Sequence, residues 1–465
     1  MNRAFRRVAY VMLAGFAALA LTAAYWSFWR GPALTRRLDN PRRLVQELQI
    51  ERGRILDRNG ATLAWTEMGD EGAVRHYAYP GLAPLIGYWS AERGVTGLEA
   101  AYNDQLRGVS GQESWHAALE DLLHRPHQGH DLVTTIDMSL QQVADQALGD
   151  RRGAVVVLDP NTGDLLALAS HPYYDPNRLG EDWEALEQDA AHPLLNRATQ
   201  GLYPPGSVFK TVTLATALAD GVTKKSEQFT DETGLFIVEG FPIRDNNHPG
   251  ITQFDLYHAF GYSCNVVFAQ LGLRLGPERL RAGAEAFGFG QPLPIPLESA
   301  VSTVGRDVAL FEQPGLATTA FGQGEVLVTP MQMALVPAAI ANGGVVPRVR
   351  LVLEVRSAGG SAVETVRPRG LRRAVKGSVA QAVREAMIVA ATDGWAQPST
   401  PPGMAVGGKT GTAQLGGTAK PHAWFIGFAP AGEPRVALAV MIENGGQGGS
   451  SAAPVARRIF AAMGH

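Results

Sequence analysis

The chain has 465 residues, 45% of them apolar and 18% charged, which allows a sizeable core and roughly two or three domains. Its 41 basic and 44 acidic residues nearly cancel, so the charge balance gives no support for a nucleic-acid partner. Cys264 is the only cysteine, which excludes an intrachain disulfide framework and a cysteine zinc site.

Arg3, Arg6 and Arg7 precede Val8 to Trp29, a run of 22 residues without a charge. At about 1.5 Å per residue such a helix spans a bilayer core of ~30 Å. Tyr25, Trp26 and Trp29 then fall at the far interface. Ala18-Leu19-Ala20 also reads as a signal-peptide cleavage site. The apolar run continues well past it, so an anchor over 8–29 after a short tail, 1–7, is the expectation. Arg30, Arg36, Arg37, Arg42 and Arg43 beyond the span weaken any orientation drawn from charge alone.

Glu51 to Gly60 follows, and its Asn59-Gly60 pair predicts a hairpin turn between Ile55-Leu56 and Ala61 to Ala64. The arginines and aspartate of this stretch either pair between two layers or form a solvated strip. Gly94 to Glu99 leads into a short helix through Leu106. His116, His124, His127 and His130 make the next stretch histidine-rich. His127 and His130 carry donor atoms, but without ordered spacing a loop is the expectation and no metal site is assigned.

From Asp131 the texture changes. Asp137 to Leu148 reads as an amphipathic helix. Gly153 to Leu158 and Leu165 to Ser170 read as strands, joined by the dense turn signal Asp159 to Asp164. Helical patterns recur at Met331 to Asn342 and Val379 to Ala391. Met404 to Ala413, Ala423 to Ala429 and Arg435 to Glu443 read as three late strands, and Ala452 to Met463 as a closing helix. Two early strands and three late ones predict an α+β fold: one five-stranded antiparallel sheet flanked by helices. The expected division is a small domain over 30–150 and a large one over 151–465.

Three stretches carry chemistry. In Tyr203-Pro204-Pro205-Gly206-Ser207-Val208-Phe209-Lys210, two prolines and a glycine make a rigid turn. A helical run from Ser207 to about Ala219 follows, ended by Gly221. Lys210 lies one turn beyond Ser207 on the same face, so its amine is within reach of the hydroxyl. Val208, Phe209, Val212, Leu214, Ala215 and Leu218 surround the helix; Lys210 is then either a desolvated base for Ser207 or, the plain alternative that this stretch alone favours, a surface lysine in a helix that begins with serine. Tyr262-Ser263-Cys264-Asn265 lies between Phe254–Phe260 and an apolar helix, Val266 to Leu275. Ser263 as a helix cap and Asn265 as a loop amide are the plain alternatives. Gly407-Gly408-Lys409-Thr410-Gly411-Thr412 lies in a strand, where the glycines imply close approach of another backbone. For Lys409 the plain alternative is an edge charge that deters aggregation.

Ser-x-x-Lys, Ser-x-Asn and Lys-Thr-Gly in this order resemble the motif set of penicillin-binding proteins and serine β-lactamases. Arg52 to Gly60 is similar to a signature near the start of class B penicillin-binding proteins. Gly97-Leu98-Glu99 with Tyr102, Asn196-Arg197-Ala198, Phe321-Gly322-Gln323-Gly324 and Trp424-Phe425-Ile426-Gly427 also match that family. Two departures stand out. Gly60 to Asp131 is short for the family, implying a reduced pedestal. Leu415 to His422 is short as well, implying a more open rim. No glycosyltransferase domain precedes Arg52, as expected of class B rather than bifunctional class A, and no PASTA-like extension follows the last helix.

The resemblance implies a membrane-anchored D,D-transpeptidase with a serine penicillin-recognising fold. It acts on peptidoglycan stem peptides, with a D-Ala-D-Ala donor and an amine acceptor, and is acylated by β-lactams. It uses no cofactor and works beside a SEDS-type glycan polymerase, with its N-terminus cytoplasmic and its catalytic domain outside. It makes Ser207 the nucleophile and Lys210 the base, with the charge of Lys409 helping to lower its pKa. Ser263 becomes the proton relay, and Asn265 the group that holds Lys210 and donates to substrate backbone. Lys409, Thr410 and Thr412 bind the terminal carboxylate on the strand that carries Gly411, and the backbone N–H groups of Ser207 and Thr412 form the oxyanion hole. Cys264 is expected to be a small buried residue. The competing readings are a D,D-carboxypeptidase or β-lactamase, and a β-lactam sensor or scaffold.

Overall fold

The computed structural model describes residues 3–30, 48–70, 72–108, 128–246, 250–305, 310 and 312–463. The N-terminal helix Arg3–Ala24 continues into a π-helical turn, Tyr25–Arg30. Leu13, Phe16 and Leu19 along it are all exposed. A helix that is apolar on every side and unburied by the other described residues needs a non-aqueous surrounding. Its length and composition fit a single-pass membrane anchor. Arg36, Arg37, Arg42 and Arg43, and His116, His124 and His127, lie outside the described residues.

The Asn59-Gly60 turn forms as expected. Ile55–Leu56 pairs antiparallel with Thr62–Gly69, and Gly60 takes the left-handed conformation at φ 92°. Asp57 Oδ1 closes the turn by accepting from the backbone N–H of Asn59 and Ala61, both at 2.8 Å. These strands belong to a six-stranded sheet that also takes Gly72–Tyr77, Asp131–Thr134 and, from far down the chain, Val352–Arg356 and Ala362–Thr365. The charges here divide: Arg52 and Asp57 are buried, while Glu51 and Arg54 are exposed, Arg54 pairing with Asp131 at 2.6 Å. Glu99 is wholly buried, with Arg52 Nη2 2.7 Å from Oε2 and Arg75 Nε 2.7 Å from Oε1. Burial raises the Glu99 carboxyl, but the charges of Arg75 and Arg52 outweigh it and hold it below the ordinary value.

The second sheet has five strands in the order Gly407–Ala413, His422–Ala429, Val436–Ile442, Gly153–Leu158, Leu165–His171, every neighbouring pair antiparallel. The chain's early and late strands thus close one sheet, as the sequence predicts. The three central strands are buried throughout, so both faces are covered. Met138–Leu148 and Gly448–Ala462 pack together on the sheet, and Pro330–Ala341 crosses its central strands. The last helix is buried from Pro330 to Ile340 and has no polar face, as a helix enclosed on all sides requires. The strand expected from Met404 begins at Gly407, after the turn at Pro401-Pro402-Gly403.

Candidate active site

Gly206 stands at φ 56°, and its N–H donates to Gly322 O at 2.9 Å. A methyl group on it would sit 2.8 Å from Thr412 O, so only glycine lets the Lys409 strand pass this close to the Ser207 turn. Gly411 answers from the other side, where a methyl would sit 2.8 Å from Pro205 O. At Gly407 and Gly408 the close neighbours are instead the rings of Phe428 and Phe425, so those glycines make room for aromatics. Ser207 lies in a 3-10 turn, Gly206–Phe209, that runs into the helix Lys210–Ala219.

Tyr203 and Arg197 fix this turn to the sheet. Tyr203 Oη donates to Glu443 Oε1 at 2.9 Å, and buried Arg197 reaches the same oxygen through Nε at 2.8 Å. Glu443 follows the strand Val436–Ile442, so one carboxylate registers the nucleophile segment against the central sheet.

Lys210 is wholly buried. Its Nζ donates to Ser263 O at 2.5 Å, Asn265 Oδ1 at 2.7 Å and Ser263 Oγ at 3.1 Å. It lies 5.5 Å from the centroid of the Phe268 ring. The direct Ser207–Lys210 hydrogen bond that the spacing allows is not made; among the described residues the amine is turned onto Ser263 and Asn265. Three acceptors satisfy the three N–H of an ammonium; when the amine is neutral, the Ser263 hydroxyl can instead donate to its lone pair. Burial pushes the Lys210 amine down to about 8, against the charge of Asp245, which raises it.

Lys409 is not an edge charge in solvent. It is 1% exposed, and its Nζ donates to Thr410 O at 3.0 Å. Burial, and then the charge of Lys210, push its amine well below the usual lysine value. The Lys210 charge thus acts to lower Lys409, while the causes acting on Lys210 are its burial, Asp245 and Cys264. Two ammonium groups with no carboxylate between them resist joint protonation.

Ser263 takes the left-handed conformation at φ 61°, rare for a residue with a side chain and frequent at functional sites. It is not a helix cap. The cap position of Asn265–Leu275 is Cys264, and the helix N–H groups of Asn265 and Val266 are met by Asp245 Oδ1 at 2.5 and 3.1 Å. Asn265 is not a free loop amide either, since its Nδ2 donates to Arg244 O at 2.7 Å. Cys264 is buried as expected, and burial pushes its thiol up to about 12.

A cleft of about 800 Å³ opens over these groups, lined by Ser207, Ser263, Asn265, Thr410 and Thr412, with both lysines beneath its floor. The cleft lining thus brings together Ser207, Ser263, Asn265, Thr410 and Thr412, and the hydrogen bonds of Lys210 and Lys409 tie them to Ser263, Asn265 and Thr410 from below. Sequence reasoning missed Asp245 and the aromatic wall formed by Tyr262 and Trp395. Trp395 Nε1 donates to Tyr262 O at 2.8 Å, and the two rings meet edge to face at 6.3 Å. Only the lone Trp395 after Asp393-Gly394 hinted at that wall. Nothing local marks Asp245. Thr412 Oγ1 is also engaged, accepting from Gly448 N at 3.3 Å.

A five-stranded antiparallel sheet with two cleft-lining serines over a buried lysine and asparagine at its edge defines the penicillin-recognising class of serine acyltransferases. The family model of the penicillin binding protein transpeptidase domain matches residues 153–461, and that of the penicillin binding protein A dimerisation domain matches residues 52–132. The chain belongs to the penicillin-binding protein transpeptidase family. It is 36% identical to the peptidoglycan D,D-transpeptidase PbpA of Mycolicibacterium smegmatis, over 99% of both chains. It is 33% identical to the peptidoglycan D,D-transpeptidase MrdA of Acinetobacter baumannii, over 79% of this chain and 60% of that protein. Among solved structures, the ceftriaxone acyl-enzyme of penicillin-binding protein A from M. tuberculosis superposes with a TM-score of 0.83 at 35% identity, covering 90% of this chain and 99% of that one. Its penicillin G acyl-enzyme gives a TM-score of 0.81 at 36% identity, covering 90% of this chain and 100% of that one.

Proposed function

We propose that this protein is a membrane-anchored peptidoglycan D,D-transpeptidase that cross-links stem peptides through a Ser207 acyl-enzyme and is acylated there by β-lactams. The observation that carries this reading is the buried Lys210 amine, lowered to about 8 and held by Ser263 and Asn265 beneath the Ser207 cleft. An amine poised near neutrality beside a hydroxyl relay is what activation of a serine needs.

Ser207 Oγ attacks the carbonyl between the two terminal D-alanines. Its proton passes to the Lys210 amine, and the peptide nitrogen leaves as D-alanine after taking a proton through the Ser263 hydroxyl. The acceptor amine of a second stem peptide then attacks the ester carbonyl and loses a proton to Lys210; the Ser207 Oγ–acyl bond breaks, and Lys210 returns that proton to Oγ, restoring the Ser207 hydroxyl. The developing oxyanion sits between the N–H groups of Ser207 and Thr412; one lost donor of this kind costs ~3 kcal/mol. The bound peptide lies along the edge strand Gly407–Ala413 as an added strand. Thr410 and Thr412 face the cleft, where they meet the terminal carboxylate, with the Lys409 charge below.

On this reading residues 8–29 of the apolar N-terminal helix are the anchor, the tail 1–7 is cytoplasmic, and the catalytic domain stands outside. Through the anchor and the six-stranded sheet the protein contacts a SEDS-type glycan polymerase. The test is labelling with a fluorescent penicillin followed by digestion and mass spectrometry. Label on the peptide containing Ser207, absent from Ser207→Ala, is expected. Label on any other peptide would overturn the assignment.

A further inference from the structure

A second groove, of about 830 Å³, opens where the two sheets meet and is as large as the cleft over Ser207. It is lined by Arg348 to Val352, by Glu364 to Arg367 with Arg369, and by the apolar run Pro294-Ile295-Pro296. Backbone hydrogen bonds hold the arginine-bearing stretches in place. Arg348 N donates to Arg369 O at 2.9 Å, Arg350 N to Gly163 O at 2.8 Å, and Leu165 N to Arg350 O at 3.0 Å. The groove is therefore built into the junction and tied to the first residue of the strand Leu165–His171.

Its charge is one-sided. Arg350 is neutralised by Asp164, with Nε 2.5 Å from Oδ1. Arg348, Arg367 and Arg369 are exposed, and among the described residues their guanidinium groups make no hydrogen bond or ion pair. Glu364 is the one carboxylate among the described lining residues. Three cations set against one carboxylate repel one another, and an anion bound among them relieves that repulsion. The planar guanidinium fork matches the two oxygens of a carboxylate. Cations set around a hollow suit a chain that enters it, whereas a flat bilayer surface meets cations that protrude.

We propose that this groove is a second substrate site, separate from the Ser207 cleft, which binds the terminal carboxylate of a stem peptide through Arg348, Arg367 and Arg369. This rests on the reading of the protein as a stem-peptide cross-linker. A glycan strand carries many stems. A strand held by one stem in the groove presents its others to Ser207 at a raised effective concentration. No residue lines both the groove and the Ser207 cleft, so the two sites can be filled together.

The full-length protein is first acylated with penicillin, which closes the Ser207 cleft, and the labelling stoichiometry reports that each variant is folded. A stem pentapeptide ending in D-Ala-D-Ala, with a fluorophore on its N-terminal amine, is then titrated in and its anisotropy followed. Saturable binding to the acylated wild type is expected. It should weaken about tenfold or more when the terminal carboxylate of the peptide is amidated, and equally in the triple variant Arg348→Gln, Arg367→Gln, Arg369→Gln. Added salt should weaken it as well, because the charges are exposed. Absence of saturable binding, or undiminished affinity for the amidated peptide or in the triple variant, overturns the proposal. So does adsorption to vesicles of anionic lipid that the triple variant loses while no peptide binds, which assigns the arginines to a membrane. A protein that takes up no penicillin at Ser207 would sink the cross-linking reading and the proposal with it, a result read before any peptide is added.

Discussion

Lys210 Nζ lies 2.7 Å from Asn265 Oδ1, and the same asparagine is pinned through Nδ2 to Arg244 O. The amide is a fixed acceptor: it cannot turn to offer its nitrogen without breaking a second bond. Asn265→Ala removes one of the contacts that orient the amine. A hydrogen bond to a charged group contributes about 1.5–3 kcal/mol, so the second-order rate of acylation should fall about 10- to 100-fold. Stopped-flow kinetics with a chromogenic cephalosporin check this. A change below about twofold would remove Asn265 from the site's machinery.

The pH dependence follows from Lys210. Only the neutral amine accepts a proton, so acylation should rise with pH through an apparent pKa of about 8 and level off above it. A flat profile between pH 6 and 9 would contradict the role of Lys210.

The same group makes a stability prediction. An unfolded lysine titrates near 10.5, and folding lowers Lys210 to about 8. Below pH 8 both states are protonated and the cost of burying the charge is constant. Between pH 8 and 10.5 the native state sheds its proton first and that cost disappears. Relative to Lys210→Met, the wild type should therefore gain about 3 kcal/mol across this interval. Denaturant unfolding of the two proteins at pH 7.5 and 10.5 measures it, and a difference that does not change with pH is the contrary result.

The penicilloyl adduct on Ser207 should be long-lived. Rapid hydrolysis needs a base that aims water at the ester, and Glu278 and Glu285, the acids on the helix Pro277–Ala286, are both exposed at its surface. Mass spectrometry after removal of excess drug should show the adduct persisting. Turnover on the order of ~10 per second would identify a β-lactamase instead.

In the N-terminal sheet, Glu99→Ala leaves two buried guanidinium groups without their shared carboxylate. Breaking such a group from one side costs about 3–5 kcal/mol. A clear fall in the melting temperature is expected, with acylation of the protein that remains folded unaltered. A replacement tolerated without loss would show that Arg52 and Arg75 find other partners.

The hairpin at Asn59-Gly60, the strands Gly153–Leu158 and Leu165–His171, and the nucleophile turn are legible from the sequence alone. Their signals are local: turn residues that tolerate positive φ, alternating or continuous apolar runs, and a serine and lysine one helical turn apart. The order of three short motifs supplied the family and its reaction for the same reason, since each motif is a few adjacent residues. What the sequence left open is decided across long separations. Nothing near Arg52 says that its partner is Glu99, 47 positions on, and nothing near Asn265 says that Asp245 caps its helix from 20 positions before. The left-handed turn at Ser263, the burial of Lys409 and the Trp395 wall likewise arise only when separate elements pack. Hydrogen bonds and ionisation equilibria depend on distance and burial in space. The chain order carries neither, so these features belong to the tertiary structure.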